Sequence, residues 1–181
     1  MSQEQALDRA VQPSAGTDAS LRPAITLRNP TARDGKNVWS LVRDCAPLDE
    51  NSMYCNLLQC SHFANTCVLA ERGDDIVGWV SAYRPPEEPD VIFIWQVAVS
   101  EKARGEGLGK KLLQHLLGLD AAAGVHYLKT TITKDNAASW RLFSSLAKSA
   151  PAPMRDAPWF EKDRDFGGAH ETEHMVTIGP F

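Results

Sequence analysis

The sequence has no apolar run long enough to cross a membrane. Its most apolar stretch, VIFIWQVAV at 91–99, is far short of the roughly 20 residues a spanning helix needs. The start, MSQEQALDRAVQ, lacks a basic region followed by an apolar core, so it does not read as a secretory leader. Positive charge is not in excess: 19 Lys and Arg stand against 23 Asp and Glu, a net charge of -4. A nucleic-acid partner is disfavoured, because binding phosphate backbones needs a concentrated basic face. Cysteine is scarce. Cys45, Cys55, Cys60 and Cys67 form no CxxC pair and read as reduced thiols in a cytoplasmic protein. There is no internal repeat and no low-complexity block.

What remains is enough for one folded domain. The chain has 181 residues, 43% of them hydrophobic, which excludes disorder as the main state. Residues 1–23 carry no apolar periodicity and read as a disordered tail, leaving 24–181 as a single domain. Ile25 to Arg28 alternates as a strand. Thr31 with Asp34 forms a helix-start signature, and Val38, Leu41, Val42 and Cys45 follow at helical spacing, with Pro47 as the stop. A second helix is expected from Ser52 to about Phe63, with Tyr54, Leu57 and Leu58 on one face. Strands are expected at Thr66–Glu71 and Ile76–Tyr83, joined by a hairpin turn. Val91–Val99 reads as a central strand buried on both faces. A helix follows from Gly107 to about Leu117, then a strand at Tyr127–Ile132, then a helix starting at Asn136. The long Pro- and Gly-bearing segment 150–169 gives no element to assign, and His174–Ile178 reads as a last strand. The implied fold is α/β: a mixed sheet with helices on both faces, the strands at 91–99 and 127–132 running parallel.

The most informative segment is VAVSEKARGEGLGKKLL at 97–113. A buried strand ends, a polar loop follows, and glycines lead into an amphipathic helix. Arg104, Gly107 and Gly109 fit R-x-x-G-x-G. The free N–H groups and positive dipole end of a helix bind phosphate oxygens, and glycine lets the backbone approach. An ordinary glycine loop beside a solvated helix face is the plain alternative, but the strand before and the helix after supply the context that phosphate motifs require. A dinucleotide G-x-G-x-x-G fails at Lys110, and the Walker A pattern is missing.

This turn resembles motif A of the GNAT superfamily of N-acetyltransferases. NAASWRLF at 136–143 resembles the family's N-x-x-A/S-x-x-L-[YF] helix. The resemblance spans about residues 25–148. It implies the GNAT fold and acetyl-CoA as cosubstrate, with Arg104, Gly105, Gly107, Leu108 and Gly109 at the pyrophosphate and Asn136 at the pantetheine arm. It also implies that Val97 and Val99 offer backbone groups on a strand splayed from its neighbour. The amine would attack the thioester directly, with proximity doing much of the work. Many family members carry Tyr where this chain has Phe143. Phe143 cannot protonate a leaving thiolate, so the acid is another residue, water, or none.

CAPLDENSMYCNLLQCSHF at 45–63, Trp95-Gln96 and the C-terminal GGAHETEHMV resemble a narrower group, the L-2,4-diaminobutyrate acetyltransferases of ectoine biosynthesis. That implies a small diamino acid as partner, acetylated on its γ-amino group. Two ammonium groups and one carboxylate call for acidic partners, hydrogen-bond donors and a proton acceptor. Asp49 and Glu50 lie on the loop between the first two helices. Asp49, Tyr54, Trp95, His170 and Glu173 are the candidate substrate contacts, each set against a plain role as solvated loop, helix face, core or strand end; Trp79 reads as core. Glu173 is the first choice of base and His170 the second. His170 and His174 spell H-E-x-x-H, but a zinc site of that kind needs a helix and a third ligand. The segment 170–174 reads as a strand close to the chain end, so no metal is expected. A homodimer is the expected assembly. Acetylation of another small amine or of a protein N-terminus, or an inert acyl-CoA-binding module, are the competing readings.

Overall fold

The computed structural model describes residues 23–46 and 48–181. The uncharged run Val91–Val99 is a strand over its whole length, β4, at the centre of a seven-stranded sheet. The others are β1 (Ile25–Arg28), β2 (Val68–Arg72), β3 (Asp75–Tyr83), β5 (Tyr127–Thr133), β6 (Met154–Phe160) and β7 (Glu173–Ile178). Their spatial order is β1-β2-β3-β4-β5-β7-β6. Only β4 and β5 run parallel; the other neighbours are antiparallel. That parallel pair needs a crossover, and α3 (Leu108–Leu117) supplies it.

The helices divide between the two faces. α3 and α4 (Ala137–Ser149) cover one, burying Leu108, Leu112, Leu113, Leu116, Phe143 and Leu146 against Ile92, Ile94, Leu128 and Ile132. On the other face, α1 (Gly35–Arg43) buries Val38, Leu41 and Val42 against Leu69, Trp79 and Ala98. α2 (Met53–Gln59) starts on Ser52, whose hydroxyl accepts from the Cys55 N–H, the cap its sequence predicts. Before α1, the Thr31 N–H donates to the Asp34 carboxylate at 2.7 Å.

The segment 150–169, to which the sequence assigns no element, holds a strand: residues 154–160 form β6 at the sheet edge. Its side chains are mostly exposed, so no apolar alternation marks it. Several expectations need correction. α2 ends at Gln59, short of Phe63, and its buried residues are Asn56 and Gln59, followed by Cys60, while Tyr54 is 69% exposed. β4 is not buried throughout, because Trp95 is 46% exposed. β7 begins at Glu173, so His170 sits on a bend ahead of the strand. The tail expected over 1–23 lies, but for Pro23, outside the described residues.

Candidate active site

The site begins with a break in the sheet. β4 and β5 pair at Val91↔Tyr127, Ile92↔Leu128 and Phe93↔Lys129. Among the described residues the pairing goes no further, although β4 continues to Val99 and β5 to Thr133. At the parting point the Thr130 hydroxyl donates to the Ile94 carbonyl at 3.0 Å, replacing a lost ladder bond. The other edge of β4 shows why the strand bends here. Ser81 faces Gln96 and Ala82 faces Ile94, so Trp95 has no partner: it is a β-bulge. Further on, the Ser100 N–H donates to Val77 on β3. Backbone groups alternate along a strand, so those of Val97 and Val99 point away from β3, into the fork. The Val99 carbonyl already accepts from the Cys45 thiol at 3.4 Å.

A cavity of about 270 Å³ passes through this fork. On one side it is lined by Asn136, Ser139 and Phe143 of the α4 segment. On the other it is lined by Leu48, Asp49 and Asn51 from the loop after α1, with His170 and Glu173; Trp95, Gln96, Val97 and Thr130–Thr133 form its walls. The sequence candidates Asp49, Trp95, Val97, Asn136, His170 and Glu173 therefore meet in one place. Tyr54 does not line it. Asn51, Gln96 and Thr131 do, and the sequence reading gave them no role. Gln96 left two signals: it belongs to the Trp95-Gln96 pair that carries the narrower resemblance, and it is the one side-chain amide in an otherwise apolar strand.

Below the fork, Gly105 and Gly107 hold φ of 80° and 69°, the left-handed region that costs an L side chain about 1 kcal/mol or more. Gly107 is the N-cap of α3, which leaves the first N–H groups of that helix without intrahelical partners. Gly109 serves differently. Its backbone is helical, and an added Cβ would meet Leu142 at 3.3 Å, so its smallness lets α3 approach α4. Leu108 buries its side chain in the core and can offer only its backbone. Arg104 bonds Glu101 at 3.2 Å from a half-exposed position. Asn136 caps α4, its Oδ1 accepting from the Ser139 N–H at 3.0 Å; its amide N–H groups are what it can still offer to the cavity. The glycine cradle, the free helix start and the strand edge fit a pyrophosphate joined to a pantetheine arm.

The end of the cavity at Asp49, His170 and Glu173 is polar and acidic. His170 Nε2 lies 3.6 Å from Asp49 Oδ2 and 4.0 Å from Glu173 Oε1. His170 Nδ1 is 2.8 Å from the Glu171 carbonyl. A carbonyl only accepts, so Nδ1 carries a proton in either form of the ring, and it is Nε2 that faces the two carboxylates. Burial pushes the Glu173 carboxyl above its ordinary value, offset in part by the Thr131 hydroxyl and by His170. Among the described residues its Oε2 is buried without a hydrogen-bond partner. His174 points elsewhere: its Nδ1 bonds Asp156 on β6 at 3.0 Å. The H-E-x-x-H segment is no helix, and among the described residues no group of three or more His, Cys, Asp or Glu could hold a metal ion. Among them, too, no helix is long and apolar enough to cross a membrane.

A forked sheet over a glycine-rich helix start defines a class of acyltransferase. The sequence profile of the Acetyltransferase (GNAT) family matches residues 36–147, and the chain belongs to that family. By sequence it groups with the L-2,4-diaminobutyric acid acetyltransferases within it. It is 50% identical over 164 residues to the one from Methylotuvimicrobium alcaliphilum, covering 91% of this chain and 95% of that protein. It is 45% identical over 158 residues to the one from Halomonas elongata, covering 87% and 82%. Among solved structures, it is similar to the diaminobutyrate acetyltransferase EctA from Paenibacillus lautus, in complex with its substrate L-2,4-diaminobutyric acid and coenzyme A. That likeness has a TM-score of 0.82 and 40% identity, over 87% of this chain and 96% of the other.

Proposed function

We propose that the chain acetylates the γ-amino group of L-2,4-diaminobutyrate, with acetyl-CoA as donor. The observation that carries this reading is the cavity through the fork, lined by Val97 and Asn136 on the side read as the donor's and by Asp49, His170 and Glu173 on the side read as the acceptor's. The similarity to EctA, solved with that acceptor and coenzyme A, supports it.

The residues divide the work. Arg104, Gly105, Gly107, Leu108 and Gly109 hold the pyrophosphate, and Val97, Val99 and Asn136 hold the pantetheine arm in the fork. Bound there, acetyl-CoA supplies a thioester whose C–S bond breaks as the C–N bond forms. Asp49 faces an acceptor ammonium, and Trp95 walls its carbon chain. The distal amine must first lose a proton. With a pKa of about 10, close to that of Lys, this costs roughly 4 kcal/mol at pH 7 when unassisted. Glu173 takes that proton, directly or through His170 Nε2. A carboxylate made more basic by burial is a better acceptor at neutral pH than an ordinary one. Phe143, apolar and buried, donates nothing, so the departing thiolate leaves as such or is protonated by water.

We extend the reading to a homodimer, to the cytoplasm and to ectoine biosynthesis. The free thiols of Cys45, Cys55, Cys60 and Cys67 support a reducing compartment. Exposed Trp159 and Phe160 on the edge strand β6 support self-association. The test is a comparison of kcat/KM for diaminobutyrate, ornithine, lysine and a peptide amine, followed by release of free thiol. Diaminobutyrate should lead, with each extra methylene costing about 10–200-fold. A preference for lysine or the peptide overturns the acceptor, and no turnover with any amine leaves the inert-module reading.

A further inference from the structure

Asp49 carries a carboxylate that is 85% exposed, on a loop between two helices. Nothing in that description fixes where it stands. Its main chain, however, is tied down. The Gln96 side-chain amide donates from Nε2 to the Asp49 carbonyl at 2.9 Å. Its Oε1 accepts from Asn51 Nδ2 at 3.3 Å. One buried side chain, 8% exposed, thus grips the loop on both sides of Glu50.

The bulge at Trp95 is what makes this grip possible. Without it, residues 92, 94, 96 and 98 would share a face. Instead Ile92 and Ile94 pack on the α3/α4 side together with Val97 and Val99, while Ala98 packs with α1. The extra residue inverts the alternation, so Gln96 emerges on the α1 side, beneath the loop. The bulge that splays β4 therefore also aims Gln96.

We propose that Gln96 is a positioning residue that latches the loop 48–51 onto β4 and so sets the distance from the Asp49 carboxylate to His170 and Glu173 across the cavity. It acts through Asp49, not on the substrate. This rests on the acceptor reading above, in which Asp49 holds an acceptor ammonium. The latch makes the acceptor end of the cavity a fixed length, and hence selective for one chain length of diamine.

Gln96→Met keeps the length and removes both hydrogen bonds. Gln96→Glu keeps the acceptor for Asn51 and removes the donor to Asp49. Both should raise KM for diaminobutyrate roughly tenfold or more, the loss that goes with breaking a buried amide pair. Selectivity over ornithine should fall, and the Kd for acetyl-CoA should not change. In an Asp49→Ala background Gln96→Met should cost little more, because residues acting through one group are not additive. In the ligand-free protein, hydrogen exchange of the backbone amides at 48–52 should be faster in Gln96→Met than in the wild type. A full loss that persists in the Asp49→Ala background overturns the proposal, as does unchanged exchange at 48–52. If the loop loosens but the wild type does not acetylate diaminobutyrate, the latch stands and the acceptor reading falls.

Discussion

At the scale of single residues, two carboxyls show opposite linkage between charge and stability. Glu173 titrates above its ordinary value because burial penalises its ionised form. It therefore favours the fold at acid pH, where it is neutral, and that stability is lost as pH rises through the raised pKa. Glu173→Gln should accordingly be more stable than the wild type at pH 7 by urea denaturation, with the gain gone below the ordinary carboxyl range. Its kcat/KM for the diamine should fall about 100-fold or more at neutral pH, the usual size of a proton-transfer contribution, and recover in part at high pH as free amine accumulates. A variant both less stable and equally active would remove Glu173 as the base. Asp34 has the reverse sign. The Arg28 guanidinium, bonded at 2.9 Å, holds it down at about 2. That stability is present above the ordinary value and lost as pH falls through about 2. Arg28 is more than a third exposed, so solvent screening limits Arg28→Met to about 1–2 kcal/mol at pH 7. The difference from wild type should vanish on titration towards pH 2.

At the scale of elements, the fork is where local sequence stops informing. β4 was legible to the residue, because nine uncharged residues between a Pro-rich loop and a polar turn leave no other reading. The helix starts at Gly107 and Asn136 were legible from the same kind of punctuation. Parting from β5 was implied only by the family resemblance, and the bulge at Trp95 was not legible at all: both are matters of register between chain-distant strands. β6 was missed because an edge strand carries polar side chains and a Pro, and α2 was misread because its buried face holds Asn56 and Gln59, where periodicity looks for leucines. Of the cavity's polar end, Asp49, His170 and Glu173 could be named from charge and proton chemistry. Gln96 and Asn51 could not, since what the structure shows of them is hydrogen bonds to a chain-distant loop. Thr130 belongs with them. Its hydroxyl satisfies the Ile94 carbonyl, where the ladder fails, and the side chain is buried. Thr130→Val keeps the shape and strands that carbonyl, which should cost about 1–3 kcal/mol. The urea midpoint should fall with an unchanged slope, and Thr130→Ser should recover much of it. Equal midpoints for Val and Thr would show that the fork is held by other means.

At the scale of the whole molecule, the function proposed above has both substrates meet in the gap between β4 and β5, so occupancy of either side should be felt by the entire fold. A ligand that binds only the folded state stabilises it by about 2.7 kcal/mol at 100 times its Kd. For a chain of this length, at about 2–4 °C per kcal/mol, acetyl-CoA should raise Tm by roughly 5–11 °C. Gly107 gives the control. Its φ of 69° lies in the left-handed region, with nothing within 4 Å of an added Cβ. Gly107→Ala therefore adds backbone strain of about 1–2 kcal/mol but neither bulk against a neighbour nor charge. It should lower Tm in the free protein while leaving most of the acetyl-CoA shift. Gly107→Glu adds the same strain together with a carboxylate at the helix start, where the dipole and free N–H groups would otherwise meet phosphate. It should abolish the shift. Differential scanning calorimetry of the three proteins, with and without acetyl-CoA, separates strain from charge. If Gly107→Glu retains the full shift while remaining folded, the pyrophosphate does not sit at this turn, and the path of the donor through the fork must be drawn from the other end.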